Sequence, residues 1–201
     1  MEPTGDNLRA WDEAHQREAT RDGLPAAVRE RLPELDGRHV LQLGGGADAA
    51  AELVERGAVL TVVVDDVGAG HDTAPTAAWI RGDPHALPLE LQRGRFHLVL
   101  AHADAVRDPR AWGRGVEAAL RPGGYVLAFG THPAGAALDP MLRWRRDYFG
   151  GAAPTLGALV TGLARAGLVV RRLEELRALE PQRRATPFPG AFVVVAARPL
   201  A

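Results

Sequence analysis

Glycines and an acid stand at the ends of two successive apolar runs in the first third of the chain. One run stops at Gly44, Gly45 and Gly46, and the next ends on Asp65. Glycine lacks a Cβ, so its backbone can adopt a positive φ and let a ligand come within hydrogen-bonding distance of a turn. An acid at the tip of the following strand can accept hydrogen bonds from both hydroxyls of a ribose. The pattern favours a nucleotide-binding strand–turn–helix–strand unit, although such glycines can also simply lead a strand into a helix.

Further polar residues follow the later apolar runs. Asp83 and Pro84 predict a fixed turn that presents backbone groups to a planar ring. His102 comes directly after another buried run, at the sheet edge where open α/β folds place ligands. Because imidazole has an ordinary pKa of ~6.5, His102 could take a proton from a substrate oxygen or nitrogen. It could equally be a rim histidine that touches ligand or solvent, and His132 and His15 have weaker claims to the same role.

The composition excludes several enzyme classes. The 201 residues include no cysteine, and all 24 cationic residues other than histidine are arginine. Serine is absent as well. A Ser-His-Asp hydrolase, a Cys nucleophile, a Schiff-base lysine, a P-loop lysine and a thiolate metal site are therefore excluded, and no metal motif is present.

Charge and hydropathy point to one globular domain. The chain is 46% hydrophobic with a formal net charge of −1, so we expect no general attraction to nucleic acid or to anionic membranes. No apolar run approaches the ~20 residues of a membrane span. Residues 1–23 lack the apolar core of a signal peptide. These features predict a cytoplasmic protein.

Helical and strand patterns alternate along most of the chain. Alternation predicts a doubly wound, mostly parallel α/β sheet, and the loop without a helix between the last two strands predicts an antiparallel edge hairpin at the C-terminal end. We expect one domain, 1–201, in which a helical segment (1–36) precedes the sheet core (37–201). Helices are predicted at 5–20, 26–35, 47–56, 109–120 and 155–166, and strands at 40–43, 59–64, 79–80, 96–101, 125–129, 168–176 and 191–197.

Five stretches together resemble the class I S-adenosylmethionine-dependent methyltransferases, in particular the small UbiE-like group that acts on small molecules. VLQLGGGAD (40–48) resembles the acid-x-Gly-x-Gly-x-Gly turn of that family, and VVVDD (62–66) resembles its ribose-binding strand. GDPHALPL (82–89) resembles its adenine-binding Gly-Asp-Ala-x-x-Leu-Pro. The stretch 96–130, with its Leu-Arg-Pro-Gly-Gly, resembles the fourth strand, helix and fifth strand, and NLRAWDEAH (7–15) resembles an N-terminal lid helix.

The resemblance implies a seven-stranded Rossmann-like sheet, S-adenosylmethionine as cofactor and a small-molecule methyl acceptor. Residues 1–36 would cover the site as a lid, and His102 would be the candidate base. The residues that the resemblance assigns to the cofactor are Gln42, Gly44, Gly45, Gly46, Asp65, Asp83, Pro84 and Ala101.

The sequence departs from the family pattern in three places. Gln42 replaces the first acid of the glycine turn, and His97 stands where the family often has aspartate. The stretch between Asp65 and Asp83 is short, which predicts a stunted helix after the second strand. These departures favour an alternative, a non-methylating cofactor-binding or partner subunit on the same fold.

A nicotinamide-dependent oxidoreductase is a third possibility, because Gly44-x-Gly46-x-x-Ala49 also fits the dinucleotide fingerprint. It is less favoured, since a second acid stands at Asp83 and the chain has no room for a separate substrate domain.

Aromatic and arginine residues cluster in the segment after the fifth strand. The cluster predicts either a substrate lid or a core-packing helix with a solvated arginine face. Its members are Arg143, Trp144, Arg145, Arg146, Tyr148 and Phe149.

Overall fold

A single seven-stranded sheet organises the chain. The computed structural model describes residues 23–68, 70–104, 106–139, 143–145, 147–150, 154–179 and 187–200. The strand order is β3-β2-β1-β4-β5-β7-β6. The strands are β1 (His39–Leu43), β2 (Val59–Val64), β3 (Ala78–Arg81), β4 (Phe96–His102), β5 (Leu120–Thr131), β6 (Val169–Leu176) and β7 (Ala191–Ala197).

Strands β1 to β5 pair in parallel, whereas β7 is antiparallel to both of its neighbours. The predicted α/β sheet with its antiparallel hairpin is therefore confirmed. The order differs from the 3-2-1-4-5-6 order of dinucleotide-binding domains, because β7 lies between β5 and β6. Since β1 to β5 run in one direction, the residues after each of them meet at one edge of the sheet.

Helices cover both faces of the sheet. The helices are α1 (Ala26–Arg29), α2 (Ala47–Glu55), α3 (Gly70–Thr73), α4 (Pro109–Ala119), α5 (Pro133–Ala136) and α6 (Leu156–Arg165), with a 3₁₀ turn at Leu89–Leu91. Side chains alternate across a strand, so one face of β4 packs Leu98 and Leu100 against α1 and α2, while Val99 and Ala101 face α4 and α6. Among the described residues, no helix is long and apolar enough to span a membrane.

Side-chain caps fix the starts of the two long helices behind the sheet. The Asp108 carboxylate accepts hydrogen bonds from the backbone N–H of Arg110 and Ala111, at 3.0 Å each, and Pro109 occupies the first turn. The Thr155 hydroxyl accepts from Ala158 N–H at 3.1 Å. Both caps agree with the sequence, because a short oxygen-bearing side chain satisfies N–H groups that have no partner within the helix.

Three helix predictions have different outcomes. The helix predicted at 5–20 lies outside the described residues. The helix predicted at 26–35 is wrong in extent, because α1 ends at Arg29. Pro33 explains the early end, since proline lacks an N–H and disfavours helical backbone in the residue before it. The stunted helix after β2 is confirmed, because α3 has only four residues.

Glu52 of α2 ties the N-terminal segment to the sheet core. Its carboxylate accepts hydrogen bonds from Arg29 at 2.8 and 3.1 Å, from Leu24 N–H at 3.1 Å and from Arg56 at 2.9 Å. The hydrogen bond from Arg29 contributes most to lowering the pKa of Glu52, which falls from 4.5 to about 2 although burial opposes the shift. The ionised carboxylate therefore stabilises the folded chain.

We predict that Glu52→Gln lowers the free energy of unfolding by about 1–2 kcal/mol at pH 7. Because the pKa of Glu52 is lower in the folded state, its contribution is complete above about pH 4.5 and is lost as the pH falls towards about 2. Urea unfolding of the wild type and the variant at several pH values measures this difference. Glu55→Gln, on the exposed side of α2, is the matched control. A difference that does not depend on pH would contradict the assignment.

Candidate functional site

The turn between β1 and α2 depends on two glycines with positive φ. Gly44 has φ +71° and Gly45 has φ +86°, a region that other residues rarely adopt. A Cβ at Gly44 would lie 3.6 Å from His102 Cβ and 3.9 Å from Pro84 Cγ. The turn therefore lies directly against the segments that follow β3 and β4.

Gly46 differs from the two glycines before it. Its φ of −89° suits any residue, and a Cβ built on it would meet no atom of the described chain within 4 Å. The fold does not require glycine at this position. The open space above its backbone would suit close approach of a ligand.

Gln42 lies buried beneath the turn, with 2% of its surface exposed. Its Nε2 donates hydrogen bonds to the carbonyl oxygens of Gly44 at 3.1 Å and Gly46 at 3.4 Å. Its Oε1 is buried and has no hydrogen-bond partner in the described chain. A buried acceptor without a partner costs ~1–3 kcal/mol, so this oxygen is a candidate acceptor for a ligand donor group.

A cavity of about 670 Å³ lies beside the segments that follow β2 and β3. Asp65, Asp83 and His85 line one side of it, and the N-terminal part of α4 lines the other. The Asp65 carboxylate has no hydrogen-bond partner within the described ranges. The neighbouring Asp66 carboxylate instead accepts from Gly68 N–H at 3.3 Å and so stabilises its own turn.

Asp83 has both a structural and a binding capacity. Its Oδ1 accepts from His85 N–H at 2.7 Å, which fixes the turn at Pro84 as predicted. Its Oδ2 has no partner in the described part of the chain. One oxygen thus maintains the turn, and the other can accept a hydrogen bond from a ligand.

The predicted residues Pro84 and Ala101 lie behind this cavity. Pro84 is buried next to the glycine turn, where it fixes the turn that presents Asp83. Ala101 is fully buried in β4, where it pairs with Leu43 and Ala128. Its side chain does not line the described cavity, so Ala101 supports the site from within the sheet.

His85 faces the same cavity. Burial lowers the pKa of its imidazole below 6.5, while the charges of Asp83 and Asp65 oppose the shift. Its Nδ1 is buried and has no partner in the described chain. The direction of the shift favours a neutral imidazole at pH 7, able to make a hydrogen bond but a poor base. The signal in the sequence was its place two residues after Asp83.

His102, the candidate base, lies near a firmly held carboxylate. Its Nε2 is 3.6 Å from Asp104 Oδ2, and its ring packs edge-on against Phe129 with centroids 5.3 Å apart. Asp104 accepts hydrogen bonds from Thr131 N–H at 2.6 Å and from the Thr131 hydroxyl at 2.9 Å. Gly130 leaves room for the Asp104 carboxylate, since a Cβ at position 130 would collide with Asp104 Oδ1. The geometry places a partly exposed imidazole beside a fixed acid.

His132, a second candidate base, is hydrogen-bonded at both of its ring nitrogens. His132 is buried, its Nδ1 accepts from Ala134 N–H at 3.1 Å, and its Nε2 lies 2.8 Å from Glu175 Oε1. Because both ring nitrogens are occupied, His132 caps α5 and is not available as a base. His15 lies outside the described residues.

His97 stands at the opposite end of β4. Its Nδ1 accepts from His39 N–H at 3.2 Å, and the two rings stack with centroids 6.0 Å apart. These contacts give His97 a structural role at the start of β4.

The aromatic and arginine cluster does not form a core-packing helix. Trp144 is 57% exposed and Phe149 is 85% exposed, and Arg143 and Arg145 both bind Asp139. That alternative is wrong for the described residues, because both aromatic side chains face solvent. Arg146 lies outside them, and the lid interpretation stays a prediction.

Solved structures with the same fold are numerous among methyltransferases. An S-adenosylmethionine-dependent methyltransferase from Mesorhizobium loti is 22% identical, with a TM-score of 0.67 over 86% of this chain and 96% of the other. A TehB-like methyltransferase from Corynebacterium glutamicum is 17% identical, with a TM-score of 0.63 over 98% of this chain and 100% of the other. The chain therefore has the fold of the S-adenosylmethionine-dependent methyltransferases.

The same fold also occurs in a protein with a different activity. The cyclase SpnF is 17% identical, with a TM-score of 0.64 over 95% of this chain and 83% of the other. No family model matches the sequence, and no curated protein matches it.

We predict that the glycines of the turn differ in what they contribute to stability. Gly45→Ala should lower the free energy of unfolding by about 1–2 kcal/mol, because alanine is strained at positive φ and its Cβ would lie 3.0 Å from Gln42 Nε2. Gly46→Ala should change it by less than about 1 kcal/mol, because its φ suits alanine. Denaturant unfolding of both variants tests this, and equal losses would contradict it.

Proposed function

We propose that this chain is an S-adenosylmethionine-dependent methyltransferase with a small-molecule acceptor. One observation carries the proposal: Asp65 and Asp83, each just after a parallel strand, line one cavity, and the glycine turn after the neighbouring strand β1 is open at Gly46. Such an arrangement suits a nucleoside, whose ribose hydroxyls and amino group are hydrogen-bond donors.

The residues present fit this cofactor. Asp65 would accept hydrogen bonds from the ribose hydroxyls, and the unpartnered Oδ2 of Asp83 would accept one from the adenine amino group. The open backbone at Gly46 and the unpartnered Oε1 of Gln42 would bind the methionine part, whose ammonium needs acceptors. When bound, the cofactor supplies an electrophilic methyl group on a sulfonium.

His102 would serve as the base for an acceptor that carries a proton. It stands between the glycine turn and Asp104, so a proton taken at Nε2 would leave an imidazolium 3.6 Å from a carboxylate. That carboxylate would stabilise the charge, and the two hydrogen bonds from Thr131 keep it in place. General bases contribute typically ~10²–10⁴-fold to a rate.

The nicotinamide alternative has less support. The strand order with β7 between β5 and β6 differs from that of dinucleotide-binding domains, and a second acid, Asp83, lines the same cavity as Asp65. A non-methylating protein on this fold is the second candidate. It is favoured by the uncharged Gln42, which cannot form an ion pair with an ammonium, and by the occurrence of the fold in a cyclase.

Calorimetric titration with S-adenosylhomocysteine tests cofactor binding. We expect Asp65→Ala to weaken binding by ~1.5–3 kcal/mol, since it removes hydrogen bonds to a charged acceptor. Asp66→Ala is the matched control and should bind like the wild type, because its carboxylate serves only its own turn. Equal affinity in the wild type and the Asp65 variant would remove Asp65 from the site. No binding to the wild type would refute the proposal.

His102→Ala tests the proposed base. Release of S-adenosylhomocysteine from S-adenosylmethionine, in the presence of small hydroxyl and amine acceptors, should fall by ~10²–10⁴-fold, with cofactor affinity nearly unchanged. His39→Ala, at the opposite end of the sheet, should be unaffected. Loss of cofactor binding would instead place His102 in the cofactor site.

A further inference from the structure

A second, smaller cavity lies beside Asp104. Its volume is about 190 Å³, and it lies at the carboxyl ends of β4 and β5 near the start of α6. Its polar lining consists of Asp104 and Thr131. The remaining lining is apolar, from Ala103, Pro133, Pro154, Leu156, Leu159 and Phe192.

The elements around this cavity are firmly placed. Leu156 and Leu159 are buried on the first turns of α6, whose start is fixed by the Thr155 cap. Phe192 is buried in β7, and Ala103 is buried directly after β4. Most of the residues that line the cavity are therefore apolar, and several of them are buried parts of strands or helices. Such a space favours an apolar ligand group.

The polar end of the cavity leads back to the proposed site of methyl transfer. Asp104 lines the cavity and also lies 3.6 Å from His102 Nε2. His102 in turn packs over the glycine turn, 3.6 Å from where a Cβ at Gly44 would lie. A path of neighbouring groups thus runs from the glycine turn through His102 and Asp104 to the apolar cavity.

We propose that this cavity binds the apolar part of the methyl acceptor, and that the acceptor is a single-ring phenol or a molecule of similar size with one hydroxyl beside an apolar body. The inference rests on the function proposed above.

An apolar cavity of ~150 Å³ can hold benzene, whereas whole drug-sized ligands occupy ~300–1,000 Å³. A volume of about 190 Å³ therefore fits one ring. A sugar would leave hydroxyl groups without partners against the apolar walls, which is unfavourable.

The reaction then balances without a further reactant. The acceptor oxygen forms a bond to the methyl carbon, the carbon–sulfur bond breaks, and its electron pair stays on sulfur. The hydroxyl proton goes to Nε2 of His102, and the positive charge lost from the sulfonium is matched by that of the imidazolium.

The test uses phenol as the probe and the full-length protein with and without saturating S-adenosylhomocysteine. Phenol should shift the NMR methyl resonances of Leu156 and Leu159, and glucose at the same concentration should not. Leu159→Phe fills the cavity and should weaken phenol binding by about 10–100-fold, the value of burying one ring. Leu156→Ala enlarges it and should shift the preference towards a two-ring naphthol.

Leu159→Phe should weaken binding, whereas Leu156→Ala should favour a larger ligand. An unfolded variant would bind neither ligand, so these opposite effects distinguish a changed cavity from a lost fold. Val160→Phe, one residue along α6 and outside the cavity lining, is the matched control and should bind phenol like the wild type. Phenol binding that is equal in the wild type and Leu159→Phe, or shifts confined to other residues, would overturn the inference. If S-adenosylhomocysteine fails to bind but phenol still shifts the two leucines, the proposed function fails and the apolar site stands.

Discussion

The turn after β1 is the constraint on which the rest of the site depends. Two successive residues with positive φ carry the chain from the sheet into α2, and only glycine adopts that backbone readily. Gln42 secures the turn from below through two hydrogen bonds to its carbonyl oxygens. An acid could not donate these bonds, because an ionised carboxylate only accepts. Gln42 therefore stabilises the turn through hydrogen bonds, but because it is uncharged it cannot form an ion pair with a ligand.

The polar groups gather at this turn because the strands that precede them are parallel. β2, β3 and β4 place Asp65, Asp83 and His102 at one edge of the sheet, the same edge at which the glycine turn follows β1. The two acids remain able to accept hydrogen bonds. His132 cannot act as a base in the same way as His102, since both of its ring nitrogens are hydrogen-bonded within the protein.

Features encoded by neighbouring residues could be predicted from the sequence. The glycine turn, the caps at Asp108 and Thr155, and the terminal hairpin each depend on a few adjacent residues or on the absence of a crossover helix. Features that depend on register could not. Thr131 holds Asp104 from 27 residues away, and Glu175 binds His132 from 43 residues away. The prediction of a helix at 26–35 is wrong because Pro33 ends the helix even though the periodic pattern of apolar residues continues past it.

Separate calorimetric titrations with two cofactors show which ligand the site binds. Calorimetry of the wild-type chain with S-adenosylmethionine and, separately, with NAD⁺ compares a nucleoside ligand that lacks a pyrophosphate with one that has it. We predict saturable binding of S-adenosylmethionine at one site and no comparable binding of NAD⁺. Binding of NAD⁺ alone would contradict it, and so would the absence of binding by either ligand.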